Sequence, residues 1–220
     1  MPSMNEILAP QEPNPSLGQE IANTVSHGIG LAVALVVFPL LILKAEKQGQ
    51  PWGLFSAVLF AISVVSMYLA SSLYHALPQG RNKCVLRTLE HCAILVLIAG
   101  TYTPFTLVAI RGWVGISLFV LVWILAVVGI CVEFQGPANH RWLPGVLYLC
   151  MAWLIVLAIV PLSKSMSLGG LVWLLAGGIA YTAGMGFFAA RYVPYCHFVW
   201  HLFVMAGTAC HFIAVWRYVF

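Results

Sequence analysis

The chain contains no aspartate. Its whole acidic set is six glutamates, against ten lysines and arginines in 220 residues. Charged residues make up 7% of the chain, where an ordinary globular domain carries roughly 25%. So few charges cannot coat a water-facing surface of this size, which excludes a soluble domain and a disordered chain. The net charge of +4 is too sparse and scattered for a nucleic-acid surface, so no nucleic-acid partner is expected. The six cysteines form no CxxC pair, and most sit in apolar stretches. They read as buried small hydrophobes rather than as a disulfide framework or a thiolate metal site. The first twenty residues hold no lysine or arginine, three glutamates and four prolines, so the positive n-region of a cleavable signal is not expected there.

What the chain has instead is apolar length. Hydrophobic residues are 62% of the total and fall into seven blocks, at 24–43, 53–76, 88–110, 113–132, 142–162, 168–190 and 196–217. Each approaches the ~20 residues needed to cross ~30 Å of hydrocarbon at ~1.5 Å per residue. None alternates in ~10-residue segments as barrel strands do. The expected fold is an all-α polytopic membrane protein, seven transmembrane helices in a single bundle, with the lipid bilayer as its partner. The expected division is an N-terminal lead over 1–23, the transmembrane domain over 24–217 and a short end at 218–220. Around Ser16 to Asn23 the lead reads as a short interfacial helix or an unstructured approach. With the N-terminus inside, five basic residues fall on each side of the membrane, so the positive-inside rule gives a tie. The one cluster, Arg81 to Arg87, favours a cytoplasmic N-terminus in the cytoplasmic membrane.

Topology says more than charge. His27 begins the first span, His75 ends the second, Glu90 and His91 begin the third, and His197 and His201 begin the seventh. In an antiparallel bundle all these ends share one leaflet. His140 falls in a loop, and His211 lies about 15 Å deeper than His201 along the same helix. Ionisable groups inside a bilayer are costly unless they face a polar interior or a ligand, so convergence from separate helices points to a site. His197 and His201 are i and i+4, which puts both rings on one helix face. That spacing lets two imidazoles bind one metal, and His75 would add a third nitrogen. Imidazoles without cysteine or several carboxylates suit Zn2+. Ser71, one turn before His75, could hydrogen-bond a bound water or a neighbouring ligand. Glu90 could hold such a water or take its proton.

The same residues carry a family resemblance. Glu20-Ile-Ala-Asn23 through Ser26-His27-Gly28, Ser71-Ser-Leu-Tyr-His75, Glu90-His91-Cys-Ala-Ile, Ala99-Gly-Thr-Tyr-Thr-Pro104 and His197-Phe-Val-Trp-His201 occur in order over about 200 residues. In these the chain resembles the bacterial hemolysin III proteins, within the progestin and adipoQ receptor family. The resemblance implies a seven-helix fold with zinc near the cytoplasmic side, held by His75, His197 and His201, with Ser71 as the serine of the SxxxH motif. The family usually places aspartate where this chain has Glu90. The extra methylene could bring Glu90 onto the zinc directly, or keep its role on a bound water with shifted geometry.

Three functions follow as expectations. One is a zinc-dependent hydrolase of a lipid amide or ester, with Glu90 as general base and Ser71 as orienter or oxyanion donor. The family's similarity to alkaline ceramidases suggests that substrate class. The alternative is a non-enzymatic membrane sensor or receptor-like protein with structural zinc and a lipid ligand. Pore formation, which the family name suggests, fits a chain this apolar poorly. Elsewhere, Gly28, Gly30, Gly177, Gly178, Gly184 and Gly186 are expected at close helix approaches. Pro104 and Pro161 are expected to kink or end spans three and five. Trp52, Trp113, Trp142 and Trp216 read as interfacial anchors. Glu20, Asn23 and His27 either line the site or cap the first helix. His91 reads as a structural hydrogen-bonder, and Glu133 is expected at the far interface.

Overall fold

A computed structural model describes residues 15–135, 143–190 and 192–220 of the chain. Residues 1–14 of the expected lead lie outside the described residues, as do His140, Arg141, Trp142 and Arg191. Among the described residues there is no strand, and seven helices are long and apolar enough to cross a membrane. They are α1 (Leu17–Gln48), α2 (Gly53–Ala76), α3 (Arg81–Pro104), α4 (Gly112–Phe134), α5 (143–165), α6 (Leu168–Ala189) and α7 (Cys196–Tyr218). A π-helical turn, Phe105–Ile110, continues α3. α5 is built of three pieces: an α-helical Leu143–Trp153, a 3-10 stretch Leu154–Ala158 and an α-helical Ile159–Ser165. The chain is an all-α, polytopic membrane bundle, as its apolar blocks require.

The first helix starts earlier than its apolar block. Ser16 accepts from the Gln19 amide at 3.3 Å, and the Gln19 side chain accepts from the Ser16 amide at 2.6 Å, a complete capping box. Glu20 and Asn23 therefore sit inside α1 and do not cap it. At 32 residues α1 is about 48 Å long, well beyond ~30 Å of hydrocarbon. Its buried positions, Asn23, Ser26, His27, Gly30, Ala34, Phe38, Leu41 and Ala45, recur every three or four residues and form one inward stripe. Val25, Ile29, Val33, Val36, Leu40 and Leu43 face outward and are more than half exposed. Near its start α1 is thus polar inside and apolar outside, the arrangement that a lipid solvent selects.

α1 packs on α2, α2 on α3, α3 on α4, and α6 on α7, while α7 returns to α1. This closure brings the start of α7 against the start of α1. α3 is the central helix, with 78% of its apolar window buried against 17–50% for the other six. Glycine permits close approach at Gly30, where an added Cβ would lie 3.2 Å from the Tyr68 ring, and at Gly177, where it would strike the His211 ring. Gly178 and Gly186 do not serve this purpose, since no described atom lies within 4 Å of a Cβ built there. Trp52 and Trp113 are exposed, as anchors should be, but Trp216 is partly buried, with the Lys44 amine 4.7 Å from its ring centre.

The break in α5 contains Leu157, the residue whose carbonyl the Pro161 ring meets one turn on, and a side chain of α3 enters it as well. The Tyr102 hydroxyl of α3 accepts from the Ile155 amide at 2.8 Å and lies 2.8 Å from the Met151 and Ala152 carbonyls, to which it donates. It is inserted between Met151 and Ile155, the pair that an unbroken α-helix would join directly. A side chain wedged into the ladder is a recognised origin of a kink. At Pro104 the expected disruption is present, and there α3 passes into its π-helical turn.

Candidate metal centre

The parity of the helices puts the starts of α1, α3 and α7 and the end of α2 at one end of the bundle. There His75, His197 and His201 form a triangle of rings, with centroids 4.9, 4.7 and 5.1 Å apart. With Glu90 they make a group in which each residue offers one ligand atom, all within 4.8 Å of one another. His75, Glu90 and His201 are buried and His197 is half-buried. The Glu90 Oε1 stands 3.7 Å from His75 Nε2. Two ligands of one tetrahedral ion with bonds of ~2.1 Å are separated by about 3.4 Å, so the contact is close to that spacing. The group could hold a metal ion.

The donor chemistry fits. Ser26 donates its hydroxyl proton to the Asn23 carbonyl at 2.8 Å. The His201 Nδ1 lies 3.0 Å from the Ser26 oxygen and 3.2 Å from that same carbonyl. Both partners can only accept here, so His201 Nδ1 carries the proton and Nε2 keeps its lone pair. The His75 Nδ1 faces a Glu20 carboxylate oxygen at 2.6 Å, which fixes the same tautomer. The Nε2 atoms of His75 and His201 are buried and have no hydrogen-bond partner among the described residues. Two buried lone pairs left unmatched, converging with a carboxylate, are what a cation would satisfy.

Ser71 is fully buried one turn before His75, and its hydroxyl has no hydrogen-bond partner among the described residues. His27 is inside the site region without joining the group of ligand atoms: its ring stacks on His201 with centroids 3.6 Å apart and planes 8° from parallel. His91 turns away from Glu90. Its Nδ1 pairs with Glu133 at 3.2 Å, and its carbonyl accepts from Tyr148 at 3.3 Å. Glu133 is therefore at the site end of the bundle, because α4 ends where α3 begins. His211 is apart from the group, near the Leu174 carbonyl at 3.1 Å.

A polar vestibule of about 240 Å³ opens onto the group, lined among others by Asn23, His75, Arg87, Glu90, His91 and His197. An almost wholly apolar cavity of about 220 Å³ lies deeper, between α3, α5, α6 and α7, with Met67, Tyr102, Trp200 and His211 in its wall. Successive turns of α7 line the two, His197 and Phe198 the vestibule and Trp200 and Val204 the cavity.

Residues 16–212 match the model of a family described as "Haemolysin-III related". The chain belongs to this haemolysin-III family. Its relatives include the "Hemolysin-3 homolog" of Bacillus subtilis (strain 168), 38% identical over 92% of this chain and 95% of that one. The "Hemolysin-3" of Bacillus cereus is 37% identical over 91% and 92%. A more distant similarity, 25% identity over 94% and 87%, is to the "Monocyte to macrophage differentiation factor" of Homo sapiens. This haemolysin-III member thus shares nearly its whole length with its relatives, including every helix that contributes to the candidate centre. His75, Glu90, His197 and His201, singled out from the sequence, are brought together here. For Glu20 and Asn23 the sequence left site lining and helix capping both open, and it gave no signal for Ser26. An S-x-x-Q pattern at Ser16 already freed Glu20 and Asn23 from capping.

Proposed function

We propose that this protein binds zinc through His75, His197 and His201 and hydrolyses an amide or ester of a membrane lipid, with its N-terminus and site on the cytoplasmic side. The observation that carries this reading is the convergence of buried Nε2 lone pairs with one carboxylate at the floor of an open vestibule. Three imidazoles and no thiolate suit zinc. Zinc held with a position open supplies a Lewis acid and lowers the pKa of a water it binds to roughly 7. Glu90, 3.7 Å from His75 Nε2, is the acceptor for the proton that an attacking water gives up. Ser71 orients the reacting group with its uncommitted hydroxyl. The vestibule admits a polar head, and the deeper apolar cavity accommodates an acyl chain.

A second reading has an observation of its own. Glu90 belongs to the group of possible ligand atoms, so it could serve as a fourth protein donor. A closed four-ligand site is structural, and the protein would then be a zinc-stapled membrane sensor or receptor. Purified protein incubated with ceramide-like amides and lysolipid esters, with and without chelator, separates the two. Chelator-sensitive turnover supports the hydrolase. Zinc loss that lowers the melting temperature with no turnover on any substrate sinks the hydrolase and favours the staple. His197→Ala with unchanged zinc content would remove both.

A further inference from the structure

Behind His75, on the side away from the ligand group, stands a second charged assembly that the reaction itself does not use. Glu20 of α1 places one carboxylate oxygen 2.6 Å from His75 Nδ1 and the other 2.5 Å from the Lys83 amine of α3. Each oxygen has its own donor. The three side chains are 14%, 4% and 5% exposed, so this is a buried assembly. Lys83 is fixed on its other sides. Its amine also donates to the Leu77 carbonyl at 2.9 Å, in the turn between α2 and α3, and lies 5.0 Å from the centre of the Tyr74 ring. The Asn23 side-chain amide also reaches this His75 nitrogen, with its Nδ2 at 3.3 Å; its Oδ1 is buried with no partner among the described residues, and turning the amide over presents that oxygen as a second acceptor for the Nδ1 proton.

We infer that Glu20 and Lys83 are positioning residues for the metal centre: Lys83 holds the Glu20 carboxylate so that it keeps the proton of His75 on Nδ1 and aims Nε2 at the ion. The inference rests on the zinc-binding reading above. A ligating histidine needs its second nitrogen committed, since an imidazole that rotates or changes tautomer presents N–H to the metal instead of a lone pair. Hydrogen-bonding α1 to His75 at the end of α2, with the cation supplied from α3, makes the aim of one ligand depend on three helices. The neighbouring ligand is held by neutral groups of α1, Ser26 and the Asn23 carbonyl. Of these two ligands His75 is the one with a charged support, and the loss of that support should weigh on affinity more than the loss of Ser26.

The experiment uses the full chain in detergent, with zinc affinity read by competition against a chelating indicator and the His75 tautomer read from ¹⁵N-histidine NMR of the zinc-free protein. Glu20→Gln, which can still accept from Nδ1 but lacks the charge, is expected to weaken zinc about 10-fold, and Glu20→Ala about 10- to 100-fold. Glu20→Ala leaves a buried amine unpaired, so the double variant Glu20→Ala with Lys83→Met removes both charges together. It is expected to keep the same zinc deficit and to show a mixed His75 tautomer, which lost packing alone would not produce. A double variant that binds zinc within twofold of the parent, with His75 still protonated on Nδ1, overturns the inference. His75→Ala in the same series separates the two failures. Weakened zinc there with intact affinity in the Glu20 variants refutes the positioning role alone, while unweakened zinc there refutes the metal centre and the inference with it.

Discussion

His27 and His201 form an internal control for the metal centre. Both side chains are fully buried, and their rings are stacked 3.6 Å apart with planes 8° from parallel. Truncating either to alanine removes the same imidazole from the same layer, so the packing loss should be similar. Only His201 belongs to the group of ligand atoms. Zinc bound by four ligands in small domains is held by about 10–16 kcal/mol, so one ligand is worth about 2.5–4 kcal/mol. At 1.4 kcal/mol per tenfold, His201→Ala should weaken zinc binding by about 10²- to 10³-fold. His27→Ala frees the His201 ring to shift without removing a donor, and should cost less than about 10-fold. Zinc content after desalting and a competition titration would measure both, with melting curves of the zinc-free variants as the packing reference. If His27→Ala weakens zinc as much as His201→Ala, at matched stability, the ligand assignment is wrong.

Other perturbations test the frame around the centre. Tyr102→Phe removes the hydroxyl between Met151 and Ile155 and leaves a buried amide unmatched, which should cost about 1–3 kcal/mol. A lowered melting temperature in detergent checks it, and an unchanged one would mean that α5 re-forms its own ladder. Gly177→Val drives new atoms into the His211 ring and toward the Gly207 carbonyl, an overpacking of about 1–3 kcal/mol, visible as reduced yield and melting temperature. Free zinc at 100 times its dissociation constant should add about 2.7 kcal/mol of stability, reversed by chelator. No zinc-dependent shift of the melting curve would contradict coupling between metal and fold.

The helix count and the candidate ligand group were readable because each depends on short-range regularity. Seven apolar blocks bounded by polar breaks imply seven crossings, and parity alone sends His75, Glu90 and His197 to the same end. The i, i+4 spacing of His197 and His201 needs no knowledge of other helices. Contacts between distant residues were not readable in this way. Glu20 meets His75 across 55 positions, and Tyr102 enters α5 across 49 to 53, so no local period records either pairing. The misplacement of Glu133 has another origin: the parity that gathered the histidines also puts the end of α4 beside them. The start of α1 was hidden by hydropathy, since Leu17 to Asn23 is too polar to join an apolar block and its helix is set by a cap.

The outward face of α1, with Val33, Val36, Leu40 and Leu43 exposed, makes lipid the medium in which this protein is dissolved. A molecule suited to the apolar cavity is dissolved there too, and meets the protein in two dimensions. Its effective concentration is then a mole fraction in the bilayer rather than a molarity in water. Adding detergent to an assay lowers that fraction even when the total amount of lipid is constant. Occupancy of the site should therefore follow the lipid-to-detergent ratio, and a titration plotted against bulk concentration would confuse dilution with weak binding.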